Sequence, residues 1–116
     1  MDTLLLMNAN IDCEKGIARC MGNEALYARL IGRMIDDTNM ERACACLEQQ
    51  DYEGVYARLH ELKGVSGNLG MLRVFDLCGV MLRQLKDERY EELPAYMEQL
   101  AEAHGAAVSV IQKALR

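Results

Sequence analysis

The 116-residue sequence contains no tryptophan, one proline and one phenylalanine. This scarcity of aromatic residues, in a chain dominated by alanine, leucine, methionine, glutamate and arginine, argues against an all-β sandwich and favours helices. No apolar run approaches the ~20 residues that span a bilayer, so we expect no membrane helix. The first apolar run follows Asp2 rather than a basic residue, and we therefore expect no secretory signal.

Positive charge is also scarce. Thirteen lysines and arginines against 18 aspartates and glutamates give a net charge of −5, and no run of four basic residues occurs. A chain of this kind repels phosphate backbones, which excludes nucleic-acid binding. The 51% of apolar and 27% of charged residues are typical of one globular domain, which we assign to residues 1–116.

Helical periodicity begins near the N-terminus. Asp12 is placed to cap a short helix over about 13–20, and Asn23 is placed to cap the next one. The phase of the second apolar stripe slips after Ile35, beside a predicted capping box from Thr38 to Glu41. The slip fits a kinked helix and a new helix equally well.

Three further segments repeat the helical spacing, and strand-like alternation is absent. The first of them, predicted over about 52–67, opens at Asp51. The three stripes consist of Val55, Leu59, Leu62, Ser66 and Leu69; Met71, Phe75, Cys78, Leu82 and Leu85; and Leu93, Met97, Leu100, Ala107 and Ile111. Short connections between such helices predict an all-α fold, an up-and-down antiparallel four-helix bundle with a short additional N-terminal helix.

His60 is predicted to point away from the bundle. At about 100° per residue, the centre of the apolar stripe lies roughly 140° from His60, whereas Lys63, Gly64 and Gly67 lie within about 60° of it. Glycine inside an exposed helix face costs roughly 1 kcal/mol relative to alanine. Two glycines beside an outward imidazole and an ammonium indicate clearance for a second macromolecule that brings an anion to the histidine.

The segment from His60 to Gly70 reads HELKGVSGNLG. It resembles the H-x-x-K-G-x-x-x-x-x-G motif of the histidine-containing phosphotransfer (HPt) family. The residues from Gly16 to Tyr27 resemble the opening helices of that family, and the polar turn at Lys86 and Asp87 fits it as well.

This resemblance implies a phosphocarrier of two-component phosphorelays, and the odd number of cysteines in a chain with no expected signal leads us to expect a cytoplasmic location. His60 would accept a phosphoryl group from an aspartyl phosphate on a response-regulator receiver domain, for which a hybrid sensor histidine kinase is one source, and pass it to another receiver. Lys63 would stabilise the transferring group, and Gly64 and Gly67 would provide partner clearance and docking. A neutral imidazole is a sufficient nucleophile at pH 7. We expect no kinase activity and no ATP binding, because the chain shows no glycine-rich nucleotide loop. We expect no cofactor, since the receiver brings the Mg²⁺. We also expect a monomer, because the apolar stripes are used inside the bundle.

Other readings remain open from the sequence. The bundle could serve only as a scaffold or dimerisation module with a degenerate site, or as the phosphotransfer module of a chemotaxis kinase. Cys44 and Cys46 could form a metal or redox site with a histidine, but their spacing on a helix points the thiols roughly 200° apart, and we expect no metal. The five cysteines, an odd number, are expected to be reduced. His104 lies within the last apolar stripe and is predicted to be a packing residue.

Overall fold

The structure is a computed structural model that describes all 116 residues. It contains seven α-helices and no strand, with a 3₁₀ turn at Arg33–Ile35 after the third helix. In chain order the helices are α1 (Thr3–Asn8), α2 (Cys13–Arg19), α3 (Glu24–Gly32), α4 (Asn39–Glu48), α5 (Tyr52–Leu69), α6 (Leu72–Lys86) and α7 (Leu93–Ala114).

The last four helices form the predicted bundle. α4 packs against α5, α5 against α6, α6 against α7, and α7 returns to contact α4. The connection from α5 to α6 consists of only Gly70 and Met71, so these two helices run in opposite directions. The all-α four-helix prediction is confirmed.

The central stripe of α5 is buried as predicted. Val55, Leu59, Leu62 and Ser66 have no exposed surface, and Leu69 is 5% exposed. The hydroxyl of Ser66 donates to the carbonyl oxygen of Lys63 (3.1 Å), which satisfies its polar atom inside the core. α5 is therefore anchored along one face, and its opposite face is left for contacts with solvent or a partner.

The region before the bundle is more helical than the sequence indicated. α2 and α3 begin where predicted, since the Asp12 carboxylate accepts from the Lys15 amide (3.1 Å) and the Asn23 side chain accepts from the Leu26 amide (3.0 Å). α2 is the predicted short N-terminal helix, whereas the helix before it, α1, was not predicted, because its six residues are too few to show a helical period. α1 is held at the bundle by the amide of Asp2, which donates to the carbonyl oxygen of Ala114 (2.8 Å).

The phase slip after Ile35 marks a new helix rather than a kink. α3 ends at Gly32, and α4 begins at Asn39 after the 3₁₀ turn. The predicted capping box is wrong, because the side chain of Thr38 makes no capping hydrogen bond. The carboxylate of Asp37 lies at this helix start instead, where its Oδ1 accepts from the backbone amide (3.4 Å) and the side-chain amide (3.0 Å) of Asn39. The side-chain oxygen of Asn39 in turn accepts from Arg58 of α5 (3.3 Å).

One member of the predicted stripe of α6 is not a core residue. Phe75 is 36% exposed, whereas Val74, Leu77 and Met81 are buried on the inner face. The buried face of a helix is wider than a single seam, and Phe75 lies at its edge. Its ring rests on α5 instead, next to the predicted site.

Candidate functional site

α5 presents the predicted site on its outer face. The carboxylate of Asp51 caps its first turn by accepting from the Gly54 amide (3.0 Å). At the other end Gly70 adopts a left-handed conformation (φ 80°) that terminates the helix. Both ends of α5 are thus fixed by local contacts, and this holds the register of the outward residues between them.

His60 is exposed, and neither of its ring nitrogens hydrogen-bonds to another group of the chain. Its ring lies 6.0 Å from the ring of Tyr56, one turn earlier, with 19° between the two planes. This placement agrees with the tendency of helical side chains to lean toward the helix N-terminus. The imidazole is therefore supported on one side by an aromatic ring while its nitrogens stay available.

Lys63 lies one turn after His60 and is half-buried. Its ammonium is 5.3 Å from the centroid of the Phe75 ring, an arrangement that attracts a cation to the negative face of the aromatic ring. Its aliphatic stem passes over Gly79 of α6. No carboxylate pairs with Lys63, so its charge is held in place but is not neutralised.

The two glycines beside His60 differ in what occupies the space above them. No atom lies within 4 Å of a Cβ built on Gly64, so this position is open to solvent. A Cβ on Gly67 would lie 2.9 Å from two ring atoms of Phe75. Clearance for a partner was predicted at both glycines. At Gly67 the structure gives a different reason for the absence of a side chain, which is that the ring of Phe75 occupies the space.

These residues line one shallow depression, here called the histidine hollow. His60, Lys63, Gly64 and Gly67 lie together in it, as the sequence predicted. The remaining lining residues were not predicted: Arg19, Asn68, Leu72 and Phe75. Arg19 comes from α2, forty-eight residues before Gly67, and no local sequence pattern connects two segments so far apart.

The cysteines do not form a second centre. All five are free, and no three His, Cys, Asp or Glu side chains are grouped so that they could hold a metal ion. Cys78 lies in the core near Lys63, and burial raises the pKa of its thiol to about 12, which keeps it protonated at neutral pH. Burial likewise raises the pKa values of Cys13 and Cys44.

His104 is buried within α7, as predicted for a packing residue. Its Nε2 has no hydrogen-bond partner. Desolvation lowers the pKa of His104 below the ordinary value of 6.5, and the carboxylate of Asp37 opposes that shift only in part. His104 is therefore kept neutral in the folded protein and differs from His60 in both access and environment.

The lowered pKa of His104 predicts a pH-dependent stability. The unfolded chain takes up a proton near pH 6.5 while the folded chain does not, so the free energy of unfolding should fall as the pH drops below that value, by at most about 1.4 kcal/mol per pH unit. Urea unfolding at about pH 7.5 and about pH 5.5 measures the loss. In His104→Leu this loss should vanish, and a loss of the same size in that variant would show that another group causes it.

Comparison with known proteins identified one family. The model of the Hpt domain matches residues 33–111, more than half of the chain. The searches of curated proteins and of solved structures found no match. None of the helices combines the length and the apolar character needed to cross a membrane. With the helical bundle and the family match in agreement, the chain belongs to the Hpt domain family.

Proposed function

We propose that this protein is a phosphocarrier in which His60 accepts a phosphoryl group from one receiver domain and delivers it to another. Membership of the Hpt family implies histidine phosphotransfer in two-component systems and interaction with response-regulator receiver domains. Hpt domains are phosphocarriers rather than kinases. The observation that supports His60 as the phosphoryl-accepting residue is its exposed imidazole, which has no hydrogen-bond partner and lies beside the open space at Gly64.

The transfer step needs no base from this chain. The lone pair of Nε2 on a neutral imidazole attacks phosphorus, the bond between phosphorus and the aspartyl oxygen breaks, and the receiver's carboxylate leaves with that electron pair. The proton on Nδ1 stays on the ring, which becomes a phosphoimidazolium. Delivery to the second receiver reverses these bond changes with its aspartate as the nucleophile. Catalysis then consists of positioning and charge neutralisation.

Lys63 supplies the neutralising charge on this side of the interface. It lies one helical turn from His60, within about 6 Å at the level of the Cβ atoms, and no carboxylate of the chain competes for its ammonium. Phe75 restrains the ammonium without cancelling its charge. Mg²⁺ is expected to come from the acidic cluster of the receiver.

Exposed apolar side chains next to the hollow supply the remaining contacts for a partner. Leu72 is 47% exposed and Phe75 36% exposed, and both line the hollow, while Tyr56 flanks His60. Apolar residues around a polar centre are typical of a surface that becomes buried on association. The receiver would thus cover the hollow and exclude water from the transferring group.

Transfer from a phosphorylated receiver tests the proposal. His60→Gln should accept no phosphate, because the amide is not a nucleophile toward phosphorus. Lys63→Ala should slow transfer by about ten- to a hundredfold with an unchanged helical circular dichroism spectrum, since a cation that stabilises developing charge is lost. His104→Gln is the matched histidine control and should transfer normally if it folds. Full acceptance of phosphate by His60→Gln would contradict the proposal and favour a scaffold role for the α5 face.

A further inference from the structure

Arg19 connects α2 to the end of α5. Its Nη1 donates to the carbonyl oxygens of Gly67 (2.9 Å) and Asn68 (3.2 Å). These are carbonyls of the last turn of α5, where the helix dipole favours a positive charge. The side chain is exposed but is held at a fixed place, at one end of the histidine hollow.

This structural contact uses only part of the guanidinium group. Arginine has five N–H donors, and the two hydrogen bonds take those of Nη1. Nε and both hydrogens of Nη2 have no partner in the chain, and no carboxylate pairs with Arg19. Nε and Nη2 together form an edge that fits a carboxylate with two parallel hydrogen bonds.

Arg19 is farther than Lys63 from a phosphoryl group on His60. Gly67 follows His60 by seven residues, which corresponds to roughly 10 Å along the helix axis. The imidazole also leans in the opposite direction, toward Tyr56. Lys63 is close enough to contact the transferring phosphoryl group. Arg19 is placed to contact a different group of the partner, farther along the same face of α5.

The charge around the hollow indicates the chemistry of the partner group that would contact Arg19. The chain has 18 acidic residues and a net charge of −5, yet none of the eight residues that line the hollow is acidic and two of them, Arg19 and Lys63, are cations without ion-pair partners. A locally positive surface on an acidic protein is complementary to an acidic surface on a partner.

We propose that Arg19 is a docking residue that binds a carboxylate at the rim of the receiver's phosphorylation site. This inference rests on the proposed function.

The test compares receiver binding with reactivity toward a small donor. Arg19→Ala should weaken binding of the receiver that phosphorylates the wild type by about three- to tenfold, and Arg19→Glu by more than about tenfold at low salt, chiefly through slower association. Arg19→Lys, which keeps the charge but not the paired donors, should fall between the wild type and Arg19→Ala. Phosphorylation of His60 by phosphoramidate, which requires no docking, should stay within about twofold of the wild type in all three variants.

Arg29→Glu is the matched control. Arg29 is exposed on α3, forms no hydrogen bond or ion pair, and does not line the hollow. The same change of charge there should leave receiver binding within about twofold.

Three results would decide the matter. Wild-type binding and salt dependence in Arg19→Glu would overturn the docking role. An equal loss of receiver transfer and phosphoramidate reactivity in Arg19→Ala would overturn it as well, because it would show that Arg19 acts only by fixing α5. Failure of the proposed function looks different, since the wild type itself would then take no phosphate on His60 from a phosphorylated receiver.

Discussion

Gly64→Phe is expected to slow phosphoryl transfer from a receiver by at least about a hundredfold while leaving the nucleophile intact. The open space above Gly64 lies about 40° around α5 from His60. A phenyl ring there would prevent the receiver from approaching closely enough for in-line attack, and misplacement by about 1 Å is sufficient for a loss of this size. The measurement is the single-turnover rate of transfer, compared with the rate of phosphorylation by phosphoramidate.

Gly105→Phe provides the control for this substitution. Gly105 is also an exposed glycine within a helix, and no atom lies within 4 Å of a Cβ built there. The same side chain added to α7 should leave transfer unchanged, because Gly105 does not line the hollow. Unimpaired transfer by Gly64→Phe, or an equal loss in both variants, would contradict the clearance argument.

The stability of Gly64→Ala separates clearance from a folding role. An alanine at Gly64 meets no neighbouring atom, so it should stabilise the protein by roughly 1 kcal/mol through its higher helix propensity. Because glycine is the less stable choice at this exposed position, folding does not explain its presence. The open space beside His60 indicates that glycine keeps the imidazole accessible to a partner.

Gly70→Ala should destabilise the fold by about 3 kcal/mol or more. Gly70 has a φ of +80°, and a side chain in the left-handed region costs roughly 1–2 kcal/mol. A Cβ there would also overlap the backbone carbonyl of Asp12, whose amide donates to the carbonyl oxygen of Gly70 (2.8 Å). Neither backbone segment can move without breaking that contact between the start of α2 and the end of α5. Urea unfolding measures the change.

Gly22→Ala isolates the conformational part of this effect. Gly22 has nearly the same backbone angle (φ +78°), but nothing lies within 4 Å of a Cβ built on it. This variant should lose only about 1 kcal/mol. If Gly70→Ala lowered the free energy of unfolding no more than Gly22→Ala does, the close approach of Asp12 would not contribute to the destabilisation.

Much of the bundle follows from local signals in the sequence. The stripe from Val55 to Leu69 predicts the buried face of α5, and the same periodicity places His60 on the opposite face. The caps at Asp12, Asn23 and Asp51 fix three helix starts, because a capping side chain bonds to a backbone amide only three residues away. Interactions confined to one turn of helix can be predicted from sequence.

Features that depend on contacts between helices could not be predicted in this way. Gly64 and Gly67 both lie within about 40° of His60 around the helix. The position of Phe75 on α6 is what leaves one open and the other covered. The capping box at Thr38 fits the local pattern, yet Asp37 takes its place in a network that includes Arg58 of α5. Arg19 is held at the hollow by hydrogen bonds to backbone carbonyl groups of α5. Every residue has a backbone carbonyl, so the sequence does not show which of them accept from Arg19.

The central claim is that His60 is the residue that carries the phosphoryl group. Mass-spectrometric mapping after incubation with a phosphorylated receiver tests it most directly, because a phosphohistidine is labile in acid and stable in base. We predict one such phosphate, on His60, with none on the buried His104. Phosphate on another residue, or a chain left unmodified by every receiver that binds it, would contradict this account.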